Sequence, residues 1–309
     1  MYWDFFMITI VGAGKVGSTA AFDILKARIS DVVLIDINAE LAKGEALDMM
    51  QAAPAIEFDG TIKGTNDFSE MEGSDLVIVI AGKGRTPGMT RIDLMNINAK
   101  IVLSVVKEVT RYAPDSKLMI VTNPVDVMTF LARKESGLPP NHVFGMGNIL
   151  DTLRFRSYIA QELGVSREDT HGLVIGEHGE SMVPLVEYAS ISGIPITTLL
   201  PKDRIDDIVN KTRSSGADVI KLKGATTYAP GAVIAMMADA VLMGRNRVMS
   251  VSTCPQGAYS CSAVSIGVPV VLGKNGVERI IELKLSSDSA KLFEESVDKV
   301  SKAIASLKI

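Results

Sequence analysis

The chain has 309 residues, 47% hydrophobic and 22% charged, with a formal net charge of −4. That length suits two domains of about 150 residues, and the balance of apolar and charged residues excludes disorder. The acidic balance argues against a nucleic-acid partner, the two cysteines exclude a multi-disulfide scaffold, and no apolar run reaches the ~18 residues of a membrane span.

The first residues, Met1-Tyr2-Trp3-Asp4-Phe5-Phe6, lack a basic region and run straight into a strand-like segment. They read as a short apolar extension packing on the body, not as a signal peptide, so the expected location is cytoplasmic. Met7 is a candidate second start site. Residues 7–11 are β-branched and short, a buried strand, followed by Gly12-Ala13-Gly14-Lys15-Val16-Gly17 and a helical pattern over 18–27. A second strand over 32–35 ends at Asp36, and a helix is expected over 39–50. Residues 75–81 are a further apolar strand, 82–90 a loop, 91–111 a long helix and 117–122 a strand. Apolar strands alternating with helices indicate a parallel sheet covered on both faces. Beyond this run come a helix over 149–163, helices near 203–223 and 229–245, strands at 248–253 and 266–272, and a C-terminal helix over 287–307. The fold class expected is α/β: a Rossmann-type doubly wound parallel sheet followed by an α+β domain. No linker marks the boundary, which the pattern places between residues 146 and 147.

The glycine motif sits between a strand and a helix. Gly12 allows the tight turn, Gly14 lets the backbone approach a pyrophosphate, and Gly17 permits close helix–strand packing, while the helix N-terminus favours the phosphates. Asp36 lies 19 residues past Gly17 at the end of the next strand, where an acid bonds the ribose hydroxyls of NAD. Ile37 follows, not Arg or Lys, so nothing adjacent invites a 2′-phosphate. Residues 1–146 are therefore the expected NAD-binding domain, and 147–309 the expected substrate-binding and catalytic domain.

Three histidines are present. His178 lies in the small-residue turn Gly176-Glu177-His178-Gly179, which leaves a side chain accessible; His142 and His171 read as surface or strand-end residues. Asp151 and Arg154, spaced i, i+3, share a helix face, in an ordinary ion pair or a site. Arg85 and Arg91 flank a loop at a strand's carboxyl end, where open α/β sheets bind ligands; the alternative is two solvated charges. Asn123-Pro124 follows another strand end. Cys254 and Cys261 flank Pro255-Gln256-Gly257; two free thiols are expected, and a cross-turn disulfide requires that the strands there pair directly. No metal-ligand cluster accompanies them.

The motifs GAGKVG (12–17), AGKGRTPGMTR (81–91), TNPVD (122–126), LDTLRFR (150–156) and GEHGES (176–181), in this order and spacing, are similar to the L-lactate/L-malate dehydrogenase superfamily. The sequence most resembles its lactate-dehydrogenase-like malate dehydrogenases, from Met7 to the C-terminal helix. The resemblance implies that His178 is the acid–base group, since imidazole titrates near neutrality, with Asp151 holding its ring. It implies that Arg154 grips the substrate's C1 carboxylate and that Arg91 polarises the carbonyl. Asn123, in a cis bond to Pro124, would contact substrate and cofactor, and Asn98 and the backbone at Val121 the cofactor. Gly82, Gly84 and Gly88 would let the arginine loop close. Arg85 stands where lactate enzymes commonly carry Gln and malate enzymes Arg, which implies malate and oxaloacetate as the substrate pair. Thr226 departs from this, matching a threonine common among lactate enzymes. The rivals are an L-lactate dehydrogenase and a non-catalytic NAD-binding protein on the same fold. A homotetramer or homodimer is expected, with no membrane partner.

Overall fold

The computed structural model describes residues 6–84 and 88–308. Its first half alternates strand and helix: β1 (Met7–Val11), α1 (Lys15–Lys26), β2 (Asp31–Ile35), α2 (Ala39–Ile56), β3 (Ile62–Thr65), β4 (Leu76–Val79), α3 (Arg91–Tyr112), β5 (Lys117–Ile120), α4 (Val125–Glu135) and β6 (Val143–Gly145). These strands lie parallel in the order β3-β2-β1-β4-β5-β6. The chain order reverses between β1 and β4, so a crevice opens at their carboxyl ends. The continuous apolar runs follow from burial on both faces. Along β4, Leu76 and Ile78 join the core that includes residues of α1 and α8 (described below), while Val77 and Val79 join the core of α3 and α4. Each such side chain, moved out of water, contributes about 1.5–3 kcal/mol; a charge at Val77 would open the α3 side.

The second half begins with α5 (Ile149–Leu163), followed by short strands β7 (Thr170–His171), β8 (Val174–Ile175), β9 (Val183–Pro184), β10 (Ser190–Ile191) and β11 (Ile194–Pro195). Then come α6 (Ile196–Leu199), α7 (Lys202–Lys223), α8 (Tyr228–Leu242), β12 (Arg247–Thr253), β13 (Ile266–Gly273), β14 (Gly276–Ile280) and α9 (Ser287–Ala305). Among the described residues, β12, β13 and β14 continue the first sheet antiparallel beyond β6, making nine strands. Sequence periodicity shows two of these strands but not that they extend the first domain's sheet. The pairing sets Ser252 of β12 opposite Gly145 of β6, close to the start of α4.

Other differences are local. Helix α2 runs to Ile56, past the expected end near residue 50, because Pro54 removes a single backbone bond near its terminus. The segments that form β3, α4 and β14 are too short or too mixed in polarity to stand out as elements. Of the apolar extension, only Phe6 lies within the described residues, packed against the larger core. Cys254 and Cys261 are free and buried. Among the described residues no helix is long and apolar enough to cross a membrane.

Candidate active site

The loop after β1 is shaped by two close approaches. Gly12 has φ +114°, and a Cβ there would lie 2.8 Å from the Ala81 backbone nitrogen; one on Gly17 would lie 1.8 Å from the Gly12 carbonyl oxygen. Gly14 precedes α1 without a side-chain cap, and a Cβ there would meet nothing within 4 Å. The first turn of α1 thus faces open space with its positive end. Asp36 closes this wall: its Oδ2 accepts from the Ala13 amide at 2.8 Å and its Oδ1 from the Asn38 amide at 2.9 Å. A mostly apolar cavity of about 700 Å³ runs along the loop, lined by Gly12, Gly14, Gly17, Asp36, Phe68, Gly82 and Val105 among others. A crevice with an uncapped helix N-terminus at one wall and a carboxylate at the next strand end fits a dinucleotide.

Val121 directly follows β5, and its amide donates to the Val79 carbonyl. Asn123 follows, exposed, with the cis bond to Pro124 that the resemblance implies. Asn98 is buried on α3 and directs its amide to backbone: Nδ2 donates to the Asn123 carbonyl at 2.8 Å, and Oδ1 accepts from the Lys83 amide at 2.7 Å. It ties the loop after β4 to the loop after β5.

Arg91 is the first residue of α3, a start fixed by a capping box. The Thr90 hydroxyl accepts from the Asp93 amide, and the Asp93 carboxylate accepts from the Thr90 amide. Its guanidinium pairs at 2.5 Å with Glu180, two residues past His178. Arg85 lies outside the described residues.

The second half supplies the titratable centre. Helix α5 opens at Asn148, whose side chain donates to Asp151 Oδ2 and to the Glu177 carbonyl, both at 3.2 Å, instead of capping the helix. Asp151, in the first turn of α5, is fully buried. Its Oδ2 lies 2.6 Å from His178 Nδ1, and its Oδ1 accepts from Arg154 at 3.0 Å. An ionised carboxylate only accepts, so Nδ1 carries the proton and Nε2 is left to face a ligand. Arg154 and His178 each keep 14% side-chain exposure, enough to reach one. Burial by itself disfavours the imidazolium; the Asp151 carboxylate outweighs it, Asp126 adds and Arg154 opposes, so His178 is held above its ordinary value. Burial likewise opposes ionisation of Asp151, but the charges of His178 and Arg154 and the Asn148 bond hold it below the usual carboxylate range.

The histidine loop is tied by three further contacts to two elements, α4 and α9. The His178 amide donates to Asp126 of α4 at 2.8 Å, the Glu177 amide to Ser296 of α9 at 2.7 Å, and the Glu177 carboxylate pairs with Lys299 of α9 at 2.7 Å. Asn148, Asp126 and Ser296 were not among the candidate residues. Asn148 carries a sequence signal as an N-cap residue type before Ile149, and Asp126 lies within the TNPVD motif; Ser296 has none. His142 and His171 lie before β6 and at the end of β7, away from this network. Among the described residues no group of three or more His, Cys, Asp or Glu side chains could hold a metal ion.

The family model described as lactate/malate dehydrogenase, NAD binding domain, matches residues 6–145, and that described as lactate/malate dehydrogenase, alpha/beta C-terminal domain, matches residues 149–308. The chain is 45% identical over 304 residues to a malate dehydrogenase of Desulforudis audaxviator, covering 98% of each. Its structure is similar to the apo malate dehydrogenase of Picrophilus torridus (TM-score 0.95, 41% identity, 97% of each chain). It is equally similar in fold to the lactate dehydrogenase of Cryptosporidium parvum complexed with lactic acid and nicotinamide adenine dinucleotide (TM-score 0.95, 35% identity, 98% of each chain). Backbone shape alone therefore does not separate the two activities.

Proposed function

The chain belongs to the lactate/malate dehydrogenase family, and from that premise we propose that it interconverts (S)-malate and oxaloacetate with NAD as the redox partner. The observation that carries this reading is the buried Arg154–Asp151–His178 set, joined through the Arg91–Glu180 pair to the start of α3. NAD, when bound, would supply the acceptor for the hydride that leaves C2 of malate.

The chain's own residues do the rest. Residues 1–146 hold the cofactor, through the Gly12–Gly17 loop, Asp36, Asn98, Val121 and Asn123. Residues 147–309 supply the proton acceptor and the carboxylate anchor. Arg154 binds the C1 carboxylate with parallel donors. His178 Nε2 takes the C2 hydroxyl proton during oxidation and returns it to the carbonyl oxygen during reduction. Asp151 orients the ring and stabilises the imidazolium that forms. Arg91, released from Glu180, and Asn123 donate to the C2 oxygen, which bears negative charge during transfer. Arg85 pairs with the second carboxylate of oxaloacetate, which pyruvate lacks. Relatives named malate dehydrogenase, at 42–45% identity, support the dicarboxylate.

A homodimer or homotetramer in the cytoplasm belongs to the same reading. Exposed Leu47 and Met50 on α2 and Leu222 and Tyr228 around α7 and α8 are apolar surface that assembly would cover; sedimentation equilibrium decides it. The reaction is tested by NADH oxidation with oxaloacetate and with pyruvate, and by His178→Asn. The variant is expected to bind NADH and lose turnover. A variant retaining a tenth of the activity would remove His178 from the role of base.

A further inference from the structure

His178 is held by two buried carboxylates, and the mechanism above uses one. Asp151 takes the ring; Asp126 takes the backbone. Asp126 is the second residue of α4, 3% exposed. Its Oδ2 accepts from the His178 amide at 2.8 Å, and its Oδ1 accepts from the Ser252 hydroxyl of β12 at 2.6 Å. Two segments 52 and 126 residues away along the chain thus converge on one carboxylate. Burying a carboxylate is costly, and here two hydrogen bonds offset part of that cost.

We propose that Asp126 is a positioning residue for the reaction, whose ionised carboxylate fixes the backbone of His178 against β12 and thereby sets where the imidazole sits. This rests on His178 being the acid–base group. Ionised, the carboxylate accepts both donors. Protonated, it keeps the His178 bond only by turning its proton toward Ser252. The charged or titratable groups acting on it are His178 and Glu177 from the loop; Ser252, from β12, is neutral, and Lys299 of α9 is engaged with Glu177. Burial pushes Asp126 up to about 6, against the two hydrogen bonds that favour its ionised form. Its charge in turn favours the imidazolium of His178. The device therefore couples the placement of the base to a second ionisation close to neutrality.

The test uses the full-length protein with Asp126→Asn and Ser252→Ala. The asparagine keeps the shape, removes the charge and offers one acceptor where two are needed. D126N is expected to lower kcat for malate oxidation by about tenfold, the scale of one lost hydrogen bond to a charged group. The acidic limb of its kcat/KM profile is expected to move to lower pH, because the imidazole loses a nearby negative charge. NADH affinity, read by fluorescence, should stay within about twofold, since the cofactor cavity is untouched. A D126N enzyme with wild-type kcat and an unmoved limb would overturn the assignment. If D126N does not fold, S252A decides. It leaves the carboxylate but removes a bond that favours ionisation, so kcat should fall and its acid-side loss should begin at higher pH; wild-type behaviour in both readings would overturn the proposal. His178→Gln run alongside separates the two levels: wild-type turnover in that variant would sink the base assignment itself, whatever D126N shows.

Discussion

His178 Nδ1 and Asp151 Oδ2 stand 2.6 Å apart, from a loop and a helix 27 residues distant in the chain, and Asp151 is fully buried between the imidazole and the Arg154 guanidinium. The carboxylate faces a cation on one side and a group that becomes one on the other. Its charge is compensated in both states of the reaction, and the imidazole is poised above its ordinary proton affinity.

Asp151→Asn follows directly from that contact. On the proposed mechanism malate oxidation needs neutral His178, and oxaloacetate reduction needs the imidazolium. With the carboxylate gone, the imidazole should lose protons more readily. The acidic limb of oxidation and the alkaline limb of reduction should both move to lower pH, and kcat should fall by about 10²- to 10⁴-fold as the ring loses its orienter. Stability should change with the same sign logic. The raised His178 value contributes below the ordinary histidine range and is lost as pH rises through the raised value. The depressed Asp151 value contributes above the ordinary carboxylate range and is lost as pH falls through the depressed one. Paired pH–rate profiles and thermal unfolding curves check this; unmoved limbs would contradict it.

Asp36→Ser addresses the cofactor. Asp36 is held in place by the Ala13 and Asn38 amides, and on the proposed reading its carboxylate meets the ribose and would repel a 2′-phosphate. The serine should raise the ratio of NADPH to NADH efficiency by at least about tenfold, chiefly by lifting that repulsion. A wild-type enzyme already more efficient with NADPH would show that Asp36 does not discriminate.

How much of this was visible in sequence depends on chain distance. The glycine loop, Asp36 and the i, i+3 pair Asp151–Arg154 are local patterns, and each stands where its spacing implies. The motifs carry His178 and the cis bond before Pro124. The ties that hold the site together are not local. Asp126 to Ser252, Glu177 to Ser296 and the continuation of the sheet through β12 join segments more than a hundred residues apart. Ser252 and Ser296 look like any serine in a strand or helix until tertiary pairing gives them partners. Asn98 differs in another way: the resemblance implies a cofactor contact, while its amide joins Lys83 to Asn123, bracing the two loops that border the site.

Glu180→Gln concerns Arg91. The Arg91–Glu180 pair is exposed, with side chains 69% and 70% accessible, so it is weak and exchangeable. On the proposed mechanism Glu180 competes with substrate for the guanidinium. Its neutralisation should lower KM for oxaloacetate by a few-fold, about two- to threefold for an exposed pair, with little change in kcat. A higher KM would mean that Glu180 instead holds Arg91 in its working position. Steady-state kinetics at low salt give the clearest reading, because screening weakens such pairs.

We propose that specificity rests on Arg85, which lies outside the described residues and directly follows Gly84 in the chain. On the proposed reading Arg154 binds one carboxylate of oxaloacetate and Arg85 the other. Pyruvate brings one carboxylate. A loop closed over it would strand the Arg85 charge in a site losing water. Leaving one member of a buried charged pair alone typically costs about 2–5 kcal/mol, at least ~30-fold in relative efficiency. The wild-type enzyme should therefore favour oxaloacetate over pyruvate by more than that factor. Arg85→Gln should narrow the ratio, because a neutral amide is buried without a counter-charge. It need not invert it, since the other groups proposed to bind the keto acid are unchanged. The measurement is kcat/KM for both keto acids with both proteins at saturating NADH. Equal ratios in the two would remove Arg85 as the discriminator and return the choice between malate and lactate to Thr226 and the loop's other side chains.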